Sequence, residues 1–306
     1  MENPIKQKFL SICIPTRNRE AILIETLESI YANESNHECF EVVIYDSGDT
    51  DYLSKVIQSK YSRVSNLTYR KGPNAGFLNL ISALEIGDGM YLKLHNDYSS
   101  FKFGSVQIMI DQIAAKSTEK PLIVFSDDSF KSSKTSFTSF DSFFTELSFF
   151  STWSTLFGMW KSDFDLVKTM PLNKMFPHTS LLYNSAPSKN SFLINNKKLF
   201  EHTEIPGKGG YNLFEVFAVQ YLTMNKELCD QGMISIRTFN KIKDEMLISF
   251  FANWYYLTKL SKNNYTFILE NIKTSMLVYY TPSEYYKMLL MAYVKSAFNL
   301  LKKLKL

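Results

Sequence analysis

Three short polar clusters each follow an apolar run: Pro15-Thr-Arg-Asn-Arg19, Asp46-Ser-Gly-Asp-Thr-Asp51 and His95-Asn-Asp97. Their residue types suit an anionic ligand. The guanidinium groups of Arg17 and Arg19 have the fork geometry that meets phosphate oxygens. Asp46 can accept a hydrogen bond from a pyrimidine donor group. Gly48 lets the backbone come close to a bound molecule. Asp97 can hold a hard divalent cation, Mn²⁺ or Mg²⁺, whose remaining ligands would be diphosphate oxygens and water. Such a cation offsets charge growing on a departing diphosphate. Any one cluster alone reads as a solvated turn; three on successive strand ends do not.

The elements that must position these clusters can be read from the apolar pattern. Phe9 to Ile14 is an uninterrupted apolar-rich run stopped by Pro15, as expected of a buried strand. Glu20 to Tyr31 carries Leu23, Leu27 and Ile30 at helical spacing. Phe40 to Tyr45 is a second strand, Leu53 to Tyr61 a helix, and Leu67 to Arg70 a short strand. Gly72 to Gly76 is a turn cluster, and Phe77 to Glu85 a helix. Tyr91 to Leu94 and Leu122 to Phe125 are further strands, flanking a helix over Phe103 to Lys116. This alternation predicts an α/β fold with a mostly parallel, doubly wound sheet. Open parallel sheets bind ligands outside the carboxyl ends of their strands, where the three clusters fall.

The pattern changes after Ser126. From about residue 210 the chain reads as mainly helical, over Phe214 to Leu222, Asp244 to Leu260, Asn264 to Tyr279 and Ser283 to Leu306. The expected organisation is an α/β ligand-binding domain over residues 1–210 and a helical region over 211–306. The last helix mixes Met288, Leu289, Leu290, Met291, Tyr293, Val294, Phe298, Leu301 and Leu304 with Lys287, Lys295, Lys302, Lys303 and Lys305. Lysines interrupt it too often for a membrane span. An apolar body with a basic end suits peripheral contact with an anionic membrane, or packing on the protein itself or on another subunit.

The order of the motifs resembles the GT-A nucleotide-sugar transferases of glycosyltransferase family 2. Pro15, Thr16 and Asn18 match the family's P-T/V-x-N motif. Asp46, Ser47, Gly48 and Asp51 match its D-D/S-G-S-x-D motif, and Asn74 and Gly76 its N-x-G motif. The family's D-x-D site falls on His95-Asn96-Asp97. The resemblance covers roughly the first 180 residues, and Phe157-Gly-Met-Trp160 is similar to bacterial O-antigen and capsule transferases of the abequosyltransferase-like kind. It implies that Pro15, Thr16, Arg17, Arg19, Asp46, Asn74, His95 and Asn96 line the nucleotide site and that Asp97 holds the metal. His95 departs from the pattern, because it stands where the family has an acidic residue and brings no negative charge. Asp127-Asp128 is a rival acidic pair, read more simply as a surface turn. The family's catalytic base, an Asp at a helix start, corresponds in position to His178, whose ordinary pKa suits base chemistry near neutral pH.

The bulk composition sets limits. Net charge is only +4, which does not describe a nucleic-acid binder. Cys13, Cys39 and Cys229 are widely spaced and odd in number, fitting neither a zinc site nor a disulfide framework. Gly207-Lys-Gly-Gly210 is a basic loop that suits a lid or a plain linker, and lacks the P-loop pattern. Met1 to Lys8 has no apolar run, so the expected location is the cytoplasm or the cytoplasmic face of the inner membrane. The resemblance therefore implies an inverting glycosyltransferase using a nucleotide diphosphate-sugar donor. Its acceptor would be a hydroxyl of a surface glycan or lipid-linked oligosaccharide. The alternative is a non-catalytic nucleotide-sugar-binding or scaffold subunit of a glycan-assembly complex at the membrane.

Overall fold

The structure is a computed structural model that describes residues 8–33, 37–130, 134–203, 205, 207–261 and 263–304. The chain divides into two compact units, one of Met1–Glu146 with Phe150–Glu204, the other of Leu147–Phe149 with Ile205–Leu306.

The first unit is built on strands β1 (Leu10–Thr16), β2 (Phe40–Asp46), β3 (Leu67–Lys71) and β4 (Tyr91–Leu94). With β8 (Gly158–Trp160) they form a five-stranded sheet in the order β3-β2-β1-β4-β8. The first four strands run parallel, and β8 is antiparallel to β4. Nearly every residue of β1, β2 and β4 is buried, which is why these strands read as continuous apolar runs rather than alternating ones. Helices α1 (Glu20–Tyr31), α2 (Tyr52–Tyr61) and α3 (Asn79–Ile86) make the crossovers. Leu23, Leu27 and Ile30 of α1 are fully buried, the face their spacing announced.

The chain winds outward from β1 to β3 and then returns to place β4 on the other side of β1. That reversal opens a crevice at the carboxyl ends of β1 and β4, the switch point where such sheets bind ligands.

Two small sheets complete this unit. β5 (Ser99–Phe101) pairs with β10 (Phe200–His202). β6 (Leu122–Phe125), β7 (Ser136–Phe137) and β9 (Phe192–Asn195) form a separate three-stranded sheet. The Leu122 to Phe125 segment was expected to extend the main sheet. Instead β8 takes that place, and Tyr91 and Trp160 tie the two sheets through hydrogen bonds to the carbonyls of Ile123 and Pro121 at 2.6 Å each. Gly158 permits this pairing, because a Cβ there would stand 2.4 Å from the Tyr91 ring. The remaining helices of the unit are α4 (Ser105–Lys116), α5 (Phe140–Leu147), α6 (Lys161–Val167) and α7 (Pro177–Ser185).

The second unit is mostly helical: α8 (Leu222–Asp230), α9 (Ile236–Glu245), α10 (Ala252–Tyr255), α11 (Ile272–Met276) and α12 (Pro282–Leu304). Wider π-helical turns occupy Glu215–Tyr221, Met246–Phe251 and Tyr256–Leu260. The stretch from Asn264 to Tyr279, expected as one helix, differs. β12 (Thr266–Ile268) pairs parallel with β11 (Gly209–Asn212), and only Ile272–Met276 within it is α-helical. Phe214 and Phe251 stack at 5.3 Å in this core, beside the buried Phe250. α12 buries Met288 and Ala292 and leaves Tyr286, Leu290, Tyr293, Val294 and Leu301 exposed. Among the described residues, no helix is long and apolar enough to cross a membrane.

Candidate functional site

The three strand ends are stitched into one surface by side chains. At the end of β1, the Thr16 carbonyl accepts hydrogen bonds from the Ser47 backbone N–H and hydroxyl, at 3.0 and 3.2 Å. Asn18, held at a positive φ of 54° that Asn tolerates, clamps the β2 loop in both directions. Its amide donates to Asp49 at 2.7 Å, and its carbonyl oxygen accepts from the Asp49 backbone N–H at 2.9 Å. Arg17 reaches the same carboxylate at 3.2 Å, and both side chains of that pair are exposed. Gly48 must lack a side chain, since a Cβ would meet the Asp46 carboxylate at 2.8 Å and the Asn18 amide oxygen at 3.1 Å.

Asp46 is almost fully buried, with both carboxylate oxygens occupied. Oδ1 accepts from the Gly48 N–H and Oδ2 from the Tyr69 hydroxyl, at 2.7 Å each. Next to it, Asn74 accepts from the Gly76 N–H at 3.0 Å and from the Asn79 amide at 3.2 Å. Asn79 also donates to the Ser47 hydroxyl at 2.9 Å, so the loop after β3 is fixed to the loop after β2.

The β4 end is the most enclosed part. Asp97 is 1% exposed. Its Oδ2 accepts from the Thr16 hydroxyl at 2.7 Å and its Oδ1 from Arg19 Nη1 at 3.0 Å. Thr26, one turn and a half into α1, donates to the Asp97 carbonyl at 3.1 Å. Burial pushes the Asp97 carboxyl pKa up, and the Arg19 charge and the Thr16 hydrogen bond pull against it. Arg19 itself is 40% exposed and lies 5.7 Å from the Tyr98 ring centre. It is also the residue that opens α1, whose first turn has no side-chain cap and whose N–H groups favour an anion.

His95 does not share this surface. It is 1% exposed, bonds the Ser99 carbonyl through Nε2 at 2.6 Å, and packs against Phe101 and Phe200. Burial, and then the Lys93 charge, hold its pKa well below the usual histidine range, so it is neutral. Asn96 bonds the Thr155 hydroxyl and receives the Tyr98 N–H at 3.2 Å, which shapes the turn that presents Asp97. Pro15 stands half-buried within β1. His178, expected as a base, lies near the start of α7 at 3% exposure, edge-to-face with Phe157 at 6.1 Å. Burial lowers its pKa to about 4. A general base needs an acceptor hydroxyl within hydrogen-bond reach, and His178 as placed offers no surface to one. The rival pair is also structural at its first member: Asp127 accepts from the Leu199 and Phe200 N–H groups at 2.7 and 2.8 Å and pairs with His202.

Tyr69, Asn79 and Thr155 were not singled out from sequence, yet each bonds a site residue. For Asn79 a signal existed: an amide inside the apolar stretch Phe77-Leu-Asn-Leu-Ile81, seven percent exposed, must have a partner.

The resemblance implies a divalent cation on Asp97, and the residues present do not fit one. Each carboxylate oxygen already accepts a hydrogen bond, and the Arg19 guanidinium holds the position next to Oδ1 that a cation would share. Among the described residues, no group of three or more His, Cys, Asp or Glu side chains is arranged to hold a metal.

These strand ends define the class of the molecule: the fold is GT-A-like, with its polar surface at the carboxyl edge of the parallel strands. Residues 11–91 match the family model described as Glycosyl transferase family 2. A segment of 56 residues is 41% identical to validoxylamine A glucosyltransferase of Streptomyces hygroscopicus subsp. limoneus, covering 18% of this chain and 12% of that protein. Among solved structures, S. aureus TarS is similar with a TM-score of 0.54 at 16% identity, over 82% of this chain and 44% of that one. TarS 1-349 in complex with UDP-GlcNAc gives a TM-score of 0.56 at 16% identity, over 83% and 74%. The mannosyltransferase PcManGT of Pyrobaculum calidifontis, solved with GDP-Man and Mn²⁺, gives 0.51 at 12% identity, over 97% and 89%. At these identities the likeness is one of fold.

Proposed function

We propose that the chain is a glycosyltransferase that moves a sugar from a nucleotide diphosphate-sugar to an acceptor hydroxyl. The observation that carries this reading is the stitched surface at the switch point, where Thr16, Arg19, Asp46, Asn74 and Asp97 meet on a GT-A-like sheet. The family match over residues 11–91 spans the first three of these five residues and Asn74, and stops short of Asp97. In the transfer, the acceptor oxygen bonds to the anomeric carbon and its proton passes to solvent water. The bond from that carbon to the diphosphate breaks, and the diphosphate leaves with the electron pair. Donors near Arg19 and the α1 N-terminus suit that growing negative charge. Inversion of the anomeric centre, and an acceptor on a bacterial surface glycan such as O-antigen or capsule, rest on the family resemblance.

The test begins with thermal shift of the purified chain against UDP-, CDP-, TDP- and GDP-sugars, followed by donor hydrolysis without acceptor. A ligand that binds only the native state raises the melting temperature. One nucleotide class should shift it, with slow hydrolysis of that donor. Asp97→Ala should lower hydrolysis by about 100-fold or more while its circular dichroism stays native. Binding without hydrolysis favours the scaffold alternative; no binding removes both readings.

The membrane contact belongs to the same proposal. α12 exposes Tyr286, Leu290, Tyr293 and Val294 on one face with Lys287 beside them, a pattern that suits an anionic lipid surface. Co-sedimentation with vesicles rich in phosphatidylglycerol, but not with pure phosphatidylcholine, is the expected result. Equal recovery with both would remove the electrostatic part of this reading.

A further inference from the structure

We propose that Arg19 takes the place of the divalent cation in this site, and that Asp97 is the residue that positions it. The inference rests on the donor reading above and deepens it.

Three observations point the same way. Asp97 is buried, and its two oxygens are engaged by Thr16 and Arg19 at 2.7 and 3.0 Å. Its carboxylate is therefore already paired with a full positive charge, and a second cation at the same oxygens would meet repulsion from the guanidinium. Residue 95, the other end of the expected acidic pair, is a neutral histidine turned into the packing of Phe101 and Phe200. The position that should add negative charge adds none. Finally, Arg19 is anchored at one edge and open at the other. Nη1 is committed to Asp97 and the planar group lies by Tyr98, yet the side chain is 40% exposed. Among the described residues, Nη2 and Nε have no protein partner.

That is the form of a phosphate-binding arginine. A guanidinium presents several donors in a rigid plane, keeps its charge at any working pH, and matches two oxygens of a diphosphate at once. Here it sits at the start of α1, where the uncapped N–H groups of the first helical turn also favour an anion. A metal ion supplies positive charge to the leaving diphosphate without any proton being moved. Arg19 supplies one such charge, and the buried carboxylate behind it removes the entropic cost of orienting a long side chain. Arg17 is a poorer candidate, because its partner Asp49 is itself exposed and leaves the pair free to move.

Calorimetric titration of the full chain with UDP, GDP, CDP and TDP, and with the parent nucleosides, in EDTA and in Mn²⁺, tests this. Three proteins are compared: the native chain, Asp97→Asn, and the double variant Arg19→Ala/Asp97→Asn. The double variant avoids stranding a buried charge and so protects the fold. The native chain should bind its preferred diphosphate equally in EDTA and Mn²⁺. Asp97→Asn should bind that diphosphate a few-fold more weakly, about 3- to 10-fold, since Arg19 keeps its charge but loses the carboxylate that orients it. The double variant should bind it about 10- to 100-fold more weakly, with nucleoside binding unchanged. The proposal is overturned if Mn²⁺ tightens native binding about tenfold or more and Asp97→Asn removes that gain. It is equally overturned if the double variant binds the diphosphate as Asp97→Asn does. If none of the four diphosphates binds in either buffer, the donor reading itself fails and takes this one with it. Metal-dependent binding would sink the arginine alone.

Discussion

The ends of β2 and β4 face the same crevice, yet they are held in different ways. Beyond the buried Asp46, the loop after β2 is secured by pairs at the surface, Arg17 with Asp49 and Lys71 with Asp51. The β4 end is secured by a buried carboxylate bonded to Thr16 and Arg19. Exposed pairs gain little and can exchange partners when a ligand arrives. The β4 pair is different, because its carboxylate is buried and removing the guanidinium strands it. The β2 loop is thus adaptable and the β4 end is preset. A site that must hold a flexible nucleotide and fix one charge at the reacting bond needs both.

Removing the guanidinium should break this comparison most visibly. Arg19→Ala leaves the Asp97 carboxylate at 1% exposure without its cation, and should cost about 3 kcal/mol in urea unfolding at pH 7. Asp97→Asn should cost clearly less, since the half-exposed Arg19 can turn to water. Equal losses would mean that the two ends of the pair are equivalent and that burial of Asp97 does not decide the energetics.

A buried histidine also predicts a pH dependence in a window of its own, above the acid range in which the lowered carboxyls of Asp49 and Asp51 titrate. The folded His178 has a pKa of about 4 against 6.5 when unfolded. Between those values the unfolded chain takes up a proton that the folded chain refuses. The contribution is complete above pH 6.5 and is lost as the pH falls from 6.5 toward 4. It amounts to about 3 kcal/mol at full extent. His178→Phe should flatten the stability profile over that window in denaturant titrations; an unchanged slope would show that the ring is hydrated.

Much of this contrast was legible in the sequence, and the part that was not has a common cause. Continuous apolar runs announced β1, β2 and β4 because strands buried on both faces carry no alternation, and the polar clusters marked their ends. The identity of each cluster's partner did not follow. Tyr69 is on the next strand from Asp46, Asn79 reaches back to Ser47, and Thr155 reaches Asn96 from far along the chain. His95 matched a motif position by order, but its burial is decided by Phe101 and by Phe200 on β10. Leu122 to Phe125 carried the pattern of a main-sheet strand, while the three residues Gly158 to Trp160 that hold that place are too few to show a period. Tyr265 to Ile268 suits helix or strand, and only pairing with Gly209 to Asn212 decides between them. Local pattern reports which faces are buried; it does not report what buries them.

Smaller changes sharpen the comparison within the β2 end itself. Tyr69→Phe deletes the hydroxyl that donates to Asp46 at 2.7 Å. Because Asp46 is buried, the loss should be about 1–3 kcal/mol, with weaker binding of the nucleotide whose base that carboxylate would meet. Arg17→Ala should be the mildest change. Its ion pair with Asp49 is exposed on both sides, and Asn18 continues to hold Asp49 by two hydrogen bonds. Unfolding free energy should therefore stay within the error of the native chain's. Its effect on diphosphate affinity should fade as salt rises, since an exposed charge is screened within about 10 Å at 0.1 M. If Arg17→Ala instead destabilised the chain as much as Arg19→Ala, the β2 loop would be as preset as the β4 end, and the division of labour between them would be lost.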